Sequence, residues 1–226
     1  MLSKSNSSRP DIFIIKSSDN FSYFISSSNI LKKSKEELIV NKFDKWNKKY
    51  LIFDTSDFLL LPKKLPVYLK KLNIENTLGI NKNSKKKTIQ IKDQDLKLTY
   101  FYNQIGSIRS TRLIAHISEI LINEFTSIKN KSKETFVVFF DKKIHISIIE
   151  RGKLIFYNQF NSKNQNYIKY IILTFEEFNH DRKKSKIYIV ESSQNFKRIN
   201  NEMKKYFNNI NLYKKSIFEI IQNHYE

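Results

Sequence analysis

The stretch TFVVFFDKKIHISIIERGKLIFY, residues 135–157, decides the reading of this chain. Its three apolar runs, at 136–140, 144–149 and 154–157, are separated by Asp141-Lys142-Lys143 and by Glu150-Arg151-Gly152-Lys153. Short β-branched and aromatic runs with polar turns between them predict a three-strand meander. Downstream the period changes. Ile168, Ile171, Ile172, Phe175 and Phe178 recur at helical spacing, with Tyr170 and Leu173 widening the face, and predict a helix over 165–179 packed on a sheet. A strand at 186–190, a helix over 195–207 through Phe196, Ile199, Met203 and Phe207, and a strand at 210–213 follow. Ser216 stands where it caps a terminal helix whose apolar stripe is Ile217, Ile220 and Ile221.

Working back toward the start, residues 1–10 are polar and Ser-rich and read as a disordered leader without a signal-peptide run. Runs at 11–15 and 21–25 flank Ser17-Ser18-Asp19-Asn20 and predict a hairpin. Residues 32–49 are highly charged, with Phe43 and Trp46 on a short helix; strands are predicted at 50–53 and 57–61. Pro62 suits the first turn of a short helix over 62–72 carrying Leu65, Tyr68, Leu69 and Leu72. Residues 73–95 are polar and irregular, with Lys82, Lys85, Lys86 and Lys87 clustered, and are expected to form a basic loop. Strands at 97–102 and 111–115 lead to a helix with Ile117, Ile120, Leu121, Phe125 and Ile128 on one face.

Composition bounds the function classes. The 226 residues carry 41 Lys+Arg against 22 Asp+Glu, a formal charge of +19, a balance that ordinarily suggests a polyanion partner. Only six of the basic residues are Arg, Gly and Pro number three each, and Ala115 is the single alanine. Residues with AT-rich codons (Lys, Asn, Ile, Phe, Tyr) are abundant and those with GC-rich codons scarce, so an AT-rich genome accounts for most of the charge. A globule of this length buries roughly 70% of its unfolded surface. Without cysteine the chain has no disulfide, no thiolate metal site and no cysteine nucleophile, which suits a reducing cytoplasm. No segment approaches ~18 uninterrupted apolar residues, so membrane insertion is not expected.

The stretch from Leu51 through Leu61, then Thr111-Arg112-Leu113-Ile114-Ala115-His116, and above all residues 136–213 resemble the bacterial family called domain of unknown function 3822, of the actin-like superfamily. The resemblance implies two actin-like, ribonuclease H-like lobes of mixed sheet with flanking helices, at 11–110 and 111–226. The first lobe is expected to be trimmed, because residues 103–110 replace a helix that relatives carry. Actin-like ATPases hold phosphate in two strand turns whose glycines let backbone N–H groups approach the oxygens. Neither Lys16-Ser17-Ser18-Asp19-Asn20 nor Asp141-Lys142-Lys143 contains a glycine, so the nucleotide motifs are degenerate and a pseudo-ATPase is expected.

No catalytic constellation emerges from the residues. His116, His145, His180 and His224 lack metal-ligand spacing, and Asp11, Asp141 and Glu191, the acids nearest strand ends, read as ordinary turn residues rather than a two-metal nuclease set. No enzyme activity, cofactor or metal is therefore expected. The expected role is a cytoplasmic protein-binding or scaffolding module, with Ile217, Ile220 and Ile221 as a docking stripe for another protein or a second copy. The alternative is an RNA- or ribosome-associated protein whose Lys85, Lys86, Lys87, Arg109, Arg112, Lys142 and Lys143 contact phosphates.

Overall fold

The computed structural model describes residues 9–17, 20–34, 45–64, 80–81, 83–103, 113–128, 132–161, 166–190 and 196–226. The chain divides into two compact units, 1–119 and 120–226. Each is built around one five-stranded mixed sheet.

In the first unit the sheet comprises β1 (Ile12–Ser17), β2 (Phe21–Ile25), β3 (Ser28–Ser34), β4 (Lys49–Asp54) and β8 (Leu113–His116), in the order β3-β2-β1-β4-β8. Strand β1 is antiparallel to β2 and parallel to β4, and β4 is parallel to β8. A strand flanked on both sides and covered on both faces must be apolar throughout. Ile12, Phe13, Ile14 and Ile15 are accordingly all buried, with the Phe13 ring stacked 4.7 Å from both Phe24 and Tyr50. Between β4 and β8 the chain inserts a second, antiparallel sheet, order β5-β7-β6, from β5 (Phe58–Pro62), β6 (Lys85–Gln90) and β7 (Leu96–Tyr102). Helix α1 (Ile117–Thr126) begins directly after β8.

The second unit repeats the plan. Strands β9 (Lys133–Phe140), β10 (Lys143–Glu150), β11 (Lys153–Asn161), β12 (Lys186–Val190) and β13 (Ile210–Leu212) form a sheet in the order β11-β10-β9-β12-β13. The meander β9-β10-β11 is antiparallel, and β12 and β13 add in parallel through α2 (Tyr167–Glu177) and α3 (Phe196–Met203). Val137, Ile144, Ile146, Ile187 and Ile189 meet Ile171, Phe175, Ile199 and Met203 in one buried cluster. Strand alternation sends Phe136 and Tyr188 to the other face, where Phe136 stacks on Phe125 at 4.4 Å and Tyr213 meets both edge-on. Terminal helix α4 (Ile217–Tyr225) opens with a capping box: Glu219 N–H donates to Ser216 Oγ at 3.3 Å, and Ser216 N–H donates to the Glu219 carboxylate at 2.6 Å.

Four expectations are corrected. The charged run after Asn29 hides strand β3, whose two lysines are the solvated side chains of a sheet edge. Pro62 ends an edge strand, paired with Leu96, instead of opening a helix; residues 65–72 of that helix lie outside the described residues. The basic loop expected through 73–95 contains β6, laddered to β7 from Lys85↔Tyr102 to Gln90↔Lys97. Cross-strand pairing decided this segment, and nothing in Lys85-Lys86-Lys87 announces it. Strand β11 extends to Asn161, past its apolar run. Residues 1–8, 35–44 and 104–112, which carry the expected leader, the Phe43 helix position and the expected trimming, lie outside the described residues.

Both hairpins of the second meander close with two residues, and the second takes Arg151 at φ 52° and Gly152 at φ 73°. A Cβ on Gly152 would also stand 3.3 Å from the Thr126 carbonyl oxygen. Gly152→Ala should therefore lower unfolding stability by about 1–2 kcal/mol, read as a shifted denaturant midpoint. Ser216→Ala should cost about 1 kcal/mol by removing the cap of α4. A wild-type midpoint for either variant would contradict its assignment.

Candidate functional site

Strands β1 and β4 run parallel and in register to Ser17↔Asp54; beyond these carboxyl ends β1 is followed by β2 in the same sheet, whereas β4 leads into the inserted sheet. Diverging connections at such strand ends leave an opening, the usual position of binding crevices in parallel sheets. Here Phe101 N–H donates to the Asp57 carbonyl at 2.9 Å, and Ser84 Oγ donates to Asn103 Oδ1 at 3.0 Å, closing the end of the inserted sheet that borders the opening. The result is a cleft of about 160 Å³. Its apolar lining is Phe53, Phe101 and Tyr102, with the Phe53 and Tyr102 rings 4.7 Å apart; its rim carries Lys16, Asp57 and the hydroxyls of Ser17, Thr55 and Ser84. A drug-sized ligand site usually needs roughly 300–1,000 Å³. The cleft thus fits a side chain or a short extended segment.

His116 ends β8 with a fully buried ring. Its Nδ1 accepts the Ser118 N–H at 3.2 Å, which leaves the proton on Nε2 to be donated to the Thr55 carbonyl oxygen at 3.2 Å. Tyr100 and Phe58 flank the ring at 5.1 and 5.3 Å. This histidine caps α1 and anchors the rim of the cleft, so it is a positioning group.

The described basic residues expected to meet phosphates divide between the two units. Lys85 and Lys87 share a face of β6 and Lys86 takes the other. The Lys87 ammonium donates to the Ile114 carbonyl, inside its own unit, and faces Glu119, whose carboxyl is pushed above its usual range by burial with Lys87 opposing. The Lys86 ammonium lies 5.8 Å from the centre of the Phe101 ring. Lys142 is exposed at the β9–β10 turn and Lys143 begins β10; both belong to the second unit. Arg109 and Arg112 lie outside the described residues. The stripe expected to dock a partner is corrected: Ile217, Ile220 and Ile221 are each at most 1% exposed, because α4 turns that face inward.

Of the candidate acids, Asp11 belongs to the first unit and Asp141 to the second. At the amino end of β1, Asp11 accepts from Asn47 Nδ2 and from the Lys48 N–H, both at 3.0 Å, which fastens the start of the strand. Asp141 stands at the carboxyl end of β9 with φ 51°, and Glu191 lies outside the described residues. Among the described residues no three His, Asp or Glu side chains form a metal-binding group, and no helix is long and apolar enough to cross a membrane. Of the cleft residues, Lys16 and Ser17 belong to the first phosphate-turn candidate of the sequence, whereas Thr55, Asp57 and Ser84 stand in no motif. Asp54, the acid closing the apolar run Tyr50-Leu51-Ile52-Phe53, is completely buried beside the cleft residues Phe53 and Thr55 in sequence and does not line the cleft.

Of the remaining histidines, His145 and His180 are buried core groups and His224 is half-buried on α4. His145 Nδ1 lies 2.9 Å from the Tyr157 hydroxyl, and His180 sits edge-on to Phe175 with Thr135 Oγ1 3.4 Å from its Nδ1. Burial first, then the Lys133 ammonium, push His180 from the ordinary 6.5 to about 4, with Glu150 opposing. The unfolded chain therefore binds a proton at His180 where the folded one does not, so stability present above pH 6.5 is lost as pH falls toward 4. Between pH 7 and about 5 the denaturant midpoint should fall more for the wild type than for His180→Asn; equal slopes would contradict the assignment.

A protein from Bacteroides thetaiotaomicron with an actin-like ATPase fold and unknown function superposes with a TM-score of 0.73, at 15% identity, over 99% of both chains. A chain of the PilM-PilN type IV pilus biogenesis complex superposes with a TM-score of 0.53, at 7% identity, over 93% of this chain and 89% of that one. No curated protein matches in sequence. At these identities the likenesses show the fold, which is actin-like, in agreement with the strand order found in both units. The model of the family DUF3822, described as Protein of unknown function, matches residues 25–210, and the chain belongs to that family.

Proposed function

We propose that this chain is a non-catalytic protein-binding module on an actin-like frame, a pseudo-ATPase acting in the cytoplasm. The observation that carries the reading is the β9–β10 turn. Its ladder closes at Phe140↔Lys143, so only Asp141 and Lys142 remain to make the turn, and both bear side chains. Close approach of a phosphate to backbone N–H groups favours glycine, and a lysine side chain supplies charge while blocking that approach. The first turn, Ser17 to Asn20, has no glycine either. The cleft at the ends of β1 and β4 adds support, since its hydroxyls, single cation and single acid suit recognition and include no nucleophile paired with a base. A structural neighbour at a TM-score of 0.53 comes from a complex of two proteins, PilM and PilN, so this frame accommodates protein assembly elsewhere.

The alternative, an RNA-associated protein, draws on the charge of +19. The inward-directed Lys87 and the opposite faces of Lys85 and Lys86 weigh against a continuous phosphate track.

Purified chain should show no magnesium-dependent ATP turnover. Tagged chain recovered from its own cell extract at physiological salt should retain a defined protein partner after nuclease treatment. Robust turnover abolished by Asp141→Ala would overturn the pseudo-ATPase reading, and ribosomal proteins lost on nuclease treatment would replace the protein-binding reading with the RNA one.

A further inference from the structure

We infer that the turn before β12 and the segment between α3 and β13 together form a docking surface for an acidic segment of another protein, which seats an apolar side chain on Tyr206. The inference rests on the protein-binding reading and names its surface and the chemistry of its partner. Residues 181–185 and 203–209 are separate in the chain and side by side in the fold. The Asn208 N–H donates to the Arg182 carbonyl at 3.2 Å, Asn209 Nδ2 to the Lys184 carbonyl at 3.4 Å, and the Ile187 N–H to the Asn209 carbonyl at 2.9 Å. The first segment turns tightly because the Asp181 carboxylate accepts the Lys183 N–H at 2.8 Å while its carbonyl accepts from Lys184 and Ser185. The second prolongs α3, the Lys204 N–H donating to the Asn200 carbonyl at 2.9 Å.

These two segments present Lys183, Lys184, Lys204 and Lys205, all exposed, and their ammonium groups have no hydrogen-bond or ion-pair partner among the described residues. Lys197, exposed two turns earlier on α3, shares the outward face of Lys204. The neighbouring acids are mostly engaged. Glu176 is paired with Arg182 at 2.7 Å, Glu202 with the Tyr167 hydroxyl and with Arg198 at 4.0 Å, and Asp181 is bonded inside its own turn. Glu177, exposed at the end of α2, is the remaining acid of these segments. A helix carboxyl end favours a cation beside it, but α2 is already served by Lys133, whose ammonium donates to the Phe178 carbonyl at 2.8 Å. Lys87, Lys133 and Lys215 thus have internal acceptors, whereas the cations of this surface are directed at solvent.

Charge and one ring select the occupant. Tyr206, 46% exposed, follows Lys204-Lys205 directly and is the one aromatic among the exposed large apolar side chains of the described residues. A tyrosine ringed by lysines offers an incoming chain a flat apolar contact within a positive rim, which calls for carboxylates around an apolar side chain. Single-stranded nucleic acid is held instead by aromatic rows that stack successive bases and by arginine forks on phosphate. Here the exposed ring is single, and Arg182 and Arg198 are paired with Glu176 and Glu202. A second copy of this surface would bring the same lysines face to face, on a chain of formal charge +19.

The test is selection of displayed random segments of about ten residues on the full chain at physiological ionic strength. The best segment is then measured on the wild type, on Lys183→Glu with Lys204→Glu, on Tyr206→Ala, and on Lys92→Glu with Lys153→Glu. The last pair has the same net charge as the first and replaces exposed lysines of other turns; denaturant midpoints check that each chain is folded. The expected result is enrichment of segments with Asp or Glu around an apolar residue. Binding should weaken at least about tenfold on Lys183→Glu with Lys204→Glu and about threefold on Tyr206→Ala, with less than about a twofold change on the control pair. No enrichment, basic or neutral segments, an equal loss on the control pair, or no loss on Tyr206→Ala would each overturn the proposal. So would a single-stranded RNA oligonucleotide that binds this surface more tightly than the segment, or a wild-type dimer that Lys183→Glu with Lys204→Glu dissolves. The extract experiment separates the two levels. A nuclease-resistant partner retained equally by the wild type and by Lys183→Glu with Lys204→Glu removes this surface and leaves the protein-binding reading, whereas no such partner removes that reading itself.

Discussion

Each unit depends on one strand that is paired on both sides in opposite senses. Strands β1 and β9 have an antiparallel neighbour on one side and a parallel neighbour on the other. Antiparallel pairing is satisfied by a tight turn, while parallel pairing forces the chain to cross a face of the sheet before returning. In the second unit that crossing is α2, which covers one face of the sheet, while Phe125 of α1 and Tyr213 cover Phe136 on the other, so the central strand is apolar on both faces. In the first unit the connections leaving the parallel strand ends diverge. The polar rim of Ser17, Thr55 and Asp57 is the consequence of that divergence, and the inserted sheet turns it into a cleft.

Polar groups within the units are used to fasten elements. His116 joins the start of α1 to Thr55, and Asp11 joins the start of β1 to the approach to β4. Glu124 accepts the Tyr213 hydroxyl at 2.7 Å and the Lys215 ammonium at 2.8 Å, and burial together with this carboxylate keeps the tyrosine protonated. Lys87 and Lys133 each donate to a backbone carbonyl. Several cations of a strongly basic chain are thus structural, and the formal charge overstates what is offered to a polyanion.

Most elements of the second unit are legible in the sequence, because each carries a local mark of its own. Phe136, Val137, Val138, Phe139 and Phe140 are a buried strand by composition, Ile168, Ile171, Ile172 and Phe175 a helix by spacing, and Ser216 with Glu219 a helix start by capping chemistry. The missing glycines of the two turns are likewise a property of the sequence. Strands β3 and β6 were not legible, because an edge strand buries little and its lysines look like those of a loop; only the partner strand fixes it.

The amino-acid sequence by itself determined the class of the fold, the order of most elements and the absence of glycine where phosphate would need it, since these follow from local period and residue type. Tertiary structure alone decided the strand order, the destination of Lys87, the inward turn of Ile217, Ile220 and Ile221, and the meeting of Lys16, Thr55, Asp57 and Ser84 around one cleft. Those properties depend on which segments far apart in the chain become neighbours. Pairing and burial between such segments leave no periodic mark on either one.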